Sequence, residues 1–228
     1  PAYFKRVLET PEIRYSTRGI TKDTNGIVYA LTHGGNVRYY PKEDRIEEWN
    51  LKDFNFVGIP CFTDHDGYIW IGEDRGQLIR FNPYENTFVR YVPESSGYFS
   101  LWTLSPLSNG FIGIGSTQGF WLKNMRNELP QTRFSPAQPN GLLDSSTVMH
   151  IVERDEGLWL ATSNGLFLVD LQRGVKQHIT EASNGLPNNN LLYVHIDPEG
   201  TFWLGSRGGG LIKWDRNTNT FQSFSTKE

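Results

Sequence analysis

The chain has 228 residues, 21% of them charged, with a formal net charge of −3. That length accommodates one large all-β domain. The mild, unclustered charge argues against a nucleic-acid partner, and no apolar stretch approaches the roughly 18 residues of a membrane helix. Aromatic residues make up 14% of the chain and glycine contributes 23 residues, a composition that suits short strands and tight turns. Cys61 is the only cysteine, which excludes an internal disulfide.

In chain order, Tyr3 to Leu8 reads as the outer strand of a blade whose other strands are missing. With Pro1 rather than Met at the start and no secretory signal in view, an excised or processed segment is expected. From there the chain repeats a four-strand unit. The innermost strands are read as Gly19-Ile20-Thr21, Ile59-Pro60-Cys61-Phe62, Leu101-Trp102-Thr103-Leu104, Val148-Met149-His150-Ile151 and Leu192-Tyr193-Val194-His195-Ile196. Turn glycines follow at Gly26, Gly67, Gly110, Gly157 and Gly200, separated by 41, 43, 47 and 43 residues. Counting six residues back from each reaches Ile20, Cys61, Leu104, Ile151 and Val194, all apolar, which predicts a buried position in every unit. Cys61 is then a small core residue rather than a reactive thiol.

The second strands carry a large ring at Tyr29, Trp70, Trp159 and Trp203, with Gly113 in that place in the third unit. These rings are expected to pack between blades. The strands end in Gly72, Gly115, Ala161 and Gly205, where a close backbone approach is expected. A second glycine series, Gly35, Gly76, Gly119, Gly165 and Gly210, opens the third strands. Polar turns such as Asn82 to Asn86 and Asp215 to Asn219 lead into the outer ones. A period near 40–45 residues with four short strands per unit predicts an all-β fold. It is a β-propeller of about five four-stranded blades, part of a larger array, with residues 1–228 as one domain or fragment. A closed ring of five blades with an added strand is the alternative.

Asp64 to Asn82 and Asp197 to Asp215 closely follow the pattern D-x-x-G-x-[IFL]-W-[IL]-G, then G-[LI]-x-x-[YF]-[DN]. Asn184 to Asn190 follows a G-L-x-x-N connector. On these motifs, over about residues 15–226, the chain resembles the two-component regulator propeller family. The resemblance implies an extracytoplasmic, periplasmic sensor region of a bacterial hybrid two-component or histidine kinase protein. It implies signal transduction without catalysis in this segment, homodimerisation through the full-length receptor and no membrane contact by the segment itself.

No catalytic pattern is present. Asp64-His65-Asp66-Gly67 lacks the rest of a calcium loop and reads as a hairpin turn. His33, His65, His150, His178 and His195 occupy different places in their repeats, although His150 and His195 could meet near the axis. No cofactor, metal site or catalytic residue is expected. A propeller lyase or hydrolase is one alternative function and a protein–protein scaffold another. Ligand contacts are expected on the variable connectors, at His33, Glu73, Asp74, Arg75, Gln118, Asn164 and Arg207, whose polar groups suit a saccharide or a partner protein.

Overall fold

The computed structural model describes residues 17–32, 36–49, 60–73, 75–93, 100–126, 133–136, 143 and 146–225. Residues 3–8, His33, Gly35 and Asp74 lie outside them. The chain divides into two compact units, Pro1–Asp74 with Leu78–Arg90, and Arg75–Gln77 with Tyr91–Glu228. The described residues form 20 strands and one short helix.

In the first unit β1 (Thr17–Lys22), β2 (Val28–Thr32), β3 (Asn36–Tyr40) and β4 (Arg45–Trp49) make one antiparallel meander. β5 (Cys61–Thr63), β6 (Ile69–Gly72), β7 (Leu78–Asn82) and β8 (Thr87–Pro93), whose last three residues belong to the second unit, follow in the same order. Tyr29, Leu31 and Trp49 of the earlier sheet pack with Ile69, Ile71, Ile79 and Phe81 of the later one. Cys61 borders this cluster, and burial pushes its thiol up to about 12, so it is a packing residue.

The second unit repeats the meander. The strands are β9 (Leu101–Pro106), β10 (Phe111–Ser116), β11 (Gly119–Asn124) and β12 (Arg133–Pro136), then β13 (Val148–Arg154), β14 (Gly157–Thr162), β15 (Gly165–Asp170) and β16 (Gly174–Ile179). After helix α1 (Glu181–Asn184) come β17 (Leu191–Ile196), β18 (Phe202–Ser206), β19 (Gly210–Asp215) and β20 (Thr220–Phe224). Arg133 and Phe134 also pair in parallel with Val92 and Pro93.

Strands covered on both faces are continuously apolar. β14 shows this by parity: Leu158 and Leu160 belong to the cluster shared with β9–β12, and Trp159 and Ala161 to the cluster shared with β17–β20. In the first, second and fifth repeats the turn before the second strand is stapled by one carboxylate. Asp64 Oδ1 accepts the amides of Asp66 and Tyr68 (3.0 and 2.9 Å), and its Oδ2 accepts Trp70 Nε1–H at 2.7 Å. Asp197 does the same for the Thr201 amide (2.8 Å) and Trp203 Nε1–H (3.0 Å), and Asp23 for Asn25, Ile27 and the Tyr29 hydroxyl. In the fourth repeat the turn is tighter and Glu156 Oε1 takes Trp159 Nε1–H at 3.0 Å. The third repeat lacks both partners. Leu107 stands for the carboxylate and Gly113 for the ring, and the space at Gly113 is filled by Phe120, Ile151 and Leu107.

Three expectations need correction. Ile20 is 65% exposed and Cys61 and Leu104 are half-buried, whereas Ile151 and Val194 are buried. Gly76 does not open β7, which begins two residues later, while Gly119, Gly165 and Gly210 do open their strands. The close approach at strand ends holds at Gly115, where a Cβ would lie 2.6 Å from the Val148 carbonyl oxygen, but at Gly205 the nearest atom would be Tyr193 Cβ at 3.5 Å. Gly115→Ala should therefore cost about 2 kcal/mol and Gly205→Ala less than about 0.5 kcal/mol in denaturant unfolding.

Candidate connector-face binding site

The three connectors between second and third strands in the second unit share one construction. A hydroxyl at the end of the second strand donates to the carbonyl that opens the third: Ser116 to Gly119 (3.1 Å), Thr162 to Gly165 (2.8 Å) and Ser206 to Gly210 (3.0 Å). The apex amide then bonds to the residue just before the inner strand: Thr117 to Ser100 (3.1 Å), Ser163 to Thr147 (2.9 Å) and Arg207 to Asn190 (2.8 Å). The connector apex and the entry to each inner strand are thus held at the same end of the sheet.

Arg207 departs from its siblings. Thr117 and Ser163 each use their hydroxyl to accept the amide of the entering strand, from Ser100 (3.2 Å) and Thr147 (3.0 Å). At Arg207 that task falls to Asn188, whose Oδ1 accepts the Asn190 amide at 2.8 Å and whose Nδ2 donates to the Arg207 carbonyl at 3.3 Å. The guanidinium is relieved of a structural role. It is exposed, and among the described residues it makes no hydrogen bond or ion pair.

Asn164 is tied to the same connector. Gly165 donates its amide to the Asn189 carbonyl at 2.7 Å, and the Asn164 carbonyl bonds His178 Nε2 at 2.7 Å, with that ring stacked on Phe167. Asn189 and Glu181 exchange amide and side-chain bonds (2.7 and 2.8 Å), and Thr180 caps α1 through the Ser183 amide at 3.1 Å. Buried Leu186 anchors the loop in the core. Asn164 and Arg207 thus rise from one internally bonded platform, Asn188 to Asn190. The sequence showed these three asparagines only as a connector, and the run Asn-Asn-Asn before an inner strand was the available signal.

The other expected residues stand apart. Gln118 is half-buried in its own connector, its amide bonded to Ser116 Oγ at 3.0 Å. Glu73 is 12% exposed and pairs with Arg90 at 3.7 Å, so it serves the fold. Arg75 is exposed with φ +83°, a left-handed conformation uncommon for arginine. His33 and Asp74 lie outside the described residues.

His150 packs against Tyr193 with ring centroids 3.8 Å apart and the rings tilted by 32°, and burial pushes its pKa down to about 4, with the Val194 backbone opposing the shift and His195 adding to it. It is neutral at physiological pH. The unfolded chain takes up that proton near pH 6.5 and the folded one does not until about 4. The contribution is complete above pH 6.5 and is lost as pH falls toward 4, by about 2 kcal/mol allowing for partial solvent access. His150→Leu should flatten that part of the stability–pH curve. Among the described residues no group of three or more His, Cys, Asp or Glu side chains is placed to hold a metal.

No family model matches this chain, and no curated protein matches it. Solved structures do. The extracellular domain of the hybrid two component system BT4673 from B. thetaiotaomicron superposes with a TM-score of 0.69 at 17% identity, over 90% of this chain and 28% of that one. PorZ, a bacterial surface component of the type-IX secretion system of Porphyromonas gingivalis, gives 0.74 at 17% identity, over 90% and 34%. Virginiamycin B lyase from Staphylococcus aureus gives 0.68 at 14% identity, over 97% and 73%. The chain thus spans about a third or less of the length of the first two. With its repeated four-stranded meanders, it has the β-propeller fold.

Proposed function

We propose that the chain is a non-catalytic, ligand-binding β-propeller segment of an extracytoplasmic two-component receptor, as the repeat pattern and the fold likeness to such extracellular domains suggest. The observation that carries the binding role is the Arg207 exchange. Asn188 takes over the hydrogen bond that the apex residue makes in the two preceding connectors, leaving an exposed guanidinium on a braced loop that also anchors the connector of exposed Asn164 through Gly165. A guanidinium and an amide raised on an anchored backbone suit the hydroxyls and carboxylates of an acidic saccharide, which they bind through charge-assisted and neutral hydrogen bonds. A glycan screen read by thermal shift tests the proposal. Stabilisation by an acidic oligosaccharide, lost in Arg207→Ala and in Asn164→Ala, is expected. A ligand that stabilises both variants as well as the parent chain, or an absence of glycan binding alongside capture of a protein partner, contradicts it.

A further inference from the structure

A cleft of about 450 Å³ lies between β16 with the end of α1 and the turn that joins β19 to β20. Buried Ile179 and Trp214 give it a small apolar lining. Its polar lining is Gln177, His178, Asn184, Arg216 and Asn219, and the bonds these residues already make define which atoms remain for a ligand. Asn184 Oδ1 accepts the Thr180 amide at 3.3 Å and the Ser183 hydroxyl at 2.6 Å, and Asn219 Oδ1 accepts Trp214 Nε1–H at 3.3 Å. Each asparagine is left with its Nδ2 hydrogens to donate. The Gln177 carboxamide makes no hydrogen bond among the described residues. His178 Nε2 lies 2.7 Å from the Asn164 carbonyl, which only accepts, so the neutral ring carries its proton there and Nδ1 offers a lone pair.

Arg216 supplies the cation. Glu156 Oε1 takes its Nη1 at 2.8 Å, and its guanidinium carbon lies 5.0, 5.5 and 5.9 Å from the ring centroids of Trp159, Phe202 and Trp214. The group is thereby held at one edge and across its face. Its other edge, Nε–H with Nη2, has no acceptor among the described residues. Lys176 Nζ donates to the Glu156 carbonyl at 2.7 Å, so two cations stand beside one carboxylate and the mouth of the cleft is left positive. A guanidinium edge of this kind takes a carboxylate through two parallel hydrogen bonds. The remaining groups match an amide: its C=O accepts from an asparagine Nδ2, and its N–H donates to His178 Nδ1 or Gln177 Oε1. We propose that this cleft binds a short peptide ending in a free carboxylate, with the carboxylate on Arg216 and the preceding amide on the Gln177, His178, Asn184 and Asn219 side chains. The site goes beyond the connector-face reading and does not rest on it, since Arg207 takes no part.

The test titrates the 228-residue chain with acetyl-alanyl-alanine and with its carboxy-terminal amide, followed by the side-chain amide signals of Gln177, Asn184 and Asn219 in nitrogen-15 spectra. The free acid should move these signals saturably, and the amide should bind about tenfold more weakly, because it removes the charge-assisted pair. Arg216→Gln should bring the acid down to the affinity of the amide, and Arg216→Lys, which keeps the charge without the planar edge, should fall between. Gln177→Ala should lose affinity several-fold, and Arg126→Gln, which removes the same charge from an exposed turn, should lose none. The Arg216–Glu156 pair is partly exposed and contributes little to stability, so the Arg216 variants should keep the parent near-ultraviolet circular dichroism. Equal binding of acid and amide overturns the proposal. So does undiminished binding in a folded Arg216→Gln variant, or the absence of saturable shifts with the free acid.

Discussion

Trp159→Ala is expected to lower the unfolding free energy by about 4 kcal/mol, measured by denaturant titration. Trp159 is fully buried in the core cluster shared by β13–β16 and β17–β20, edge-on to Phe202 (4.8 Å) and Trp214 (6.0 Å). Its loss opens a cavity between two sheets that cannot close without shifting a hydrogen-bonded meander. The indole also anchors a polar pair at its edge. Glu156 accepts its Nε1–H and the Arg216 guanidinium at 2.8 Å, and that guanidinium lies 5.0 Å from the indole centroid. Arg216 and Glu156 are each about one-third exposed, so this pair adds under about 1 kcal/mol and the cavity dominates. Arg216→Ala should therefore cost far less than Trp159→Ala.

Asp64→Ala should cost about 3 kcal/mol, close to the effect of a lost core side chain although Asp64 lies in a surface turn. The substitution frees two turn amides and strands the indole N–H of fully buried Trp70. Asp64→Asn keeps the Oδ1 acceptor for both amides and should lose about 1 kcal/mol. The matching change Asp197→Ala should cost less than Asp64→Ala, because half-buried Trp203 can turn its N–H to water. Equal losses at the two sites would show that the turn amides, rather than the buried indole, set the energy.

The blade pattern was legible because it is local. Glycine spacing and short apolar runs put the described inner and second strands close to their expected places. The partnership between Asp64 and Trp70 was visible as a six-residue spacing shared by Asp23 with Tyr29 and Asp197 with Trp203, and its joint loss at Leu107 and Gly113 could have been read as one event. What pattern could not supply is cover. Ile20 is apolar at the position where Val194 is buried, yet it is exposed, since period assigns a residue to a face and says nothing of what lies against that face. The same limit explains Gly205, which has the sequence of Gly115 without its crowding.

The connector face was legible only in part. Asn164 and Arg207 were chosen for polarity and variability, and the structure ties their connectors to Asn188–Asn190 through bonds that cross 17 or more residues of sequence. Glu73 satisfied the same criteria but is spent on Arg90, because charge alone does not distinguish a contact within the fold from one offered to a ligand.

Hydrogen–deuterium exchange with and without the oligosaccharide selected by the glycan screen tests the binding account most directly. The predicted result is slowed exchange confined to residues 162–164, 188–190 and 206–209, with the turns at 154–157 and 215–219 unchanged. Protection at those turns, with the connectors unaffected, would contradict it.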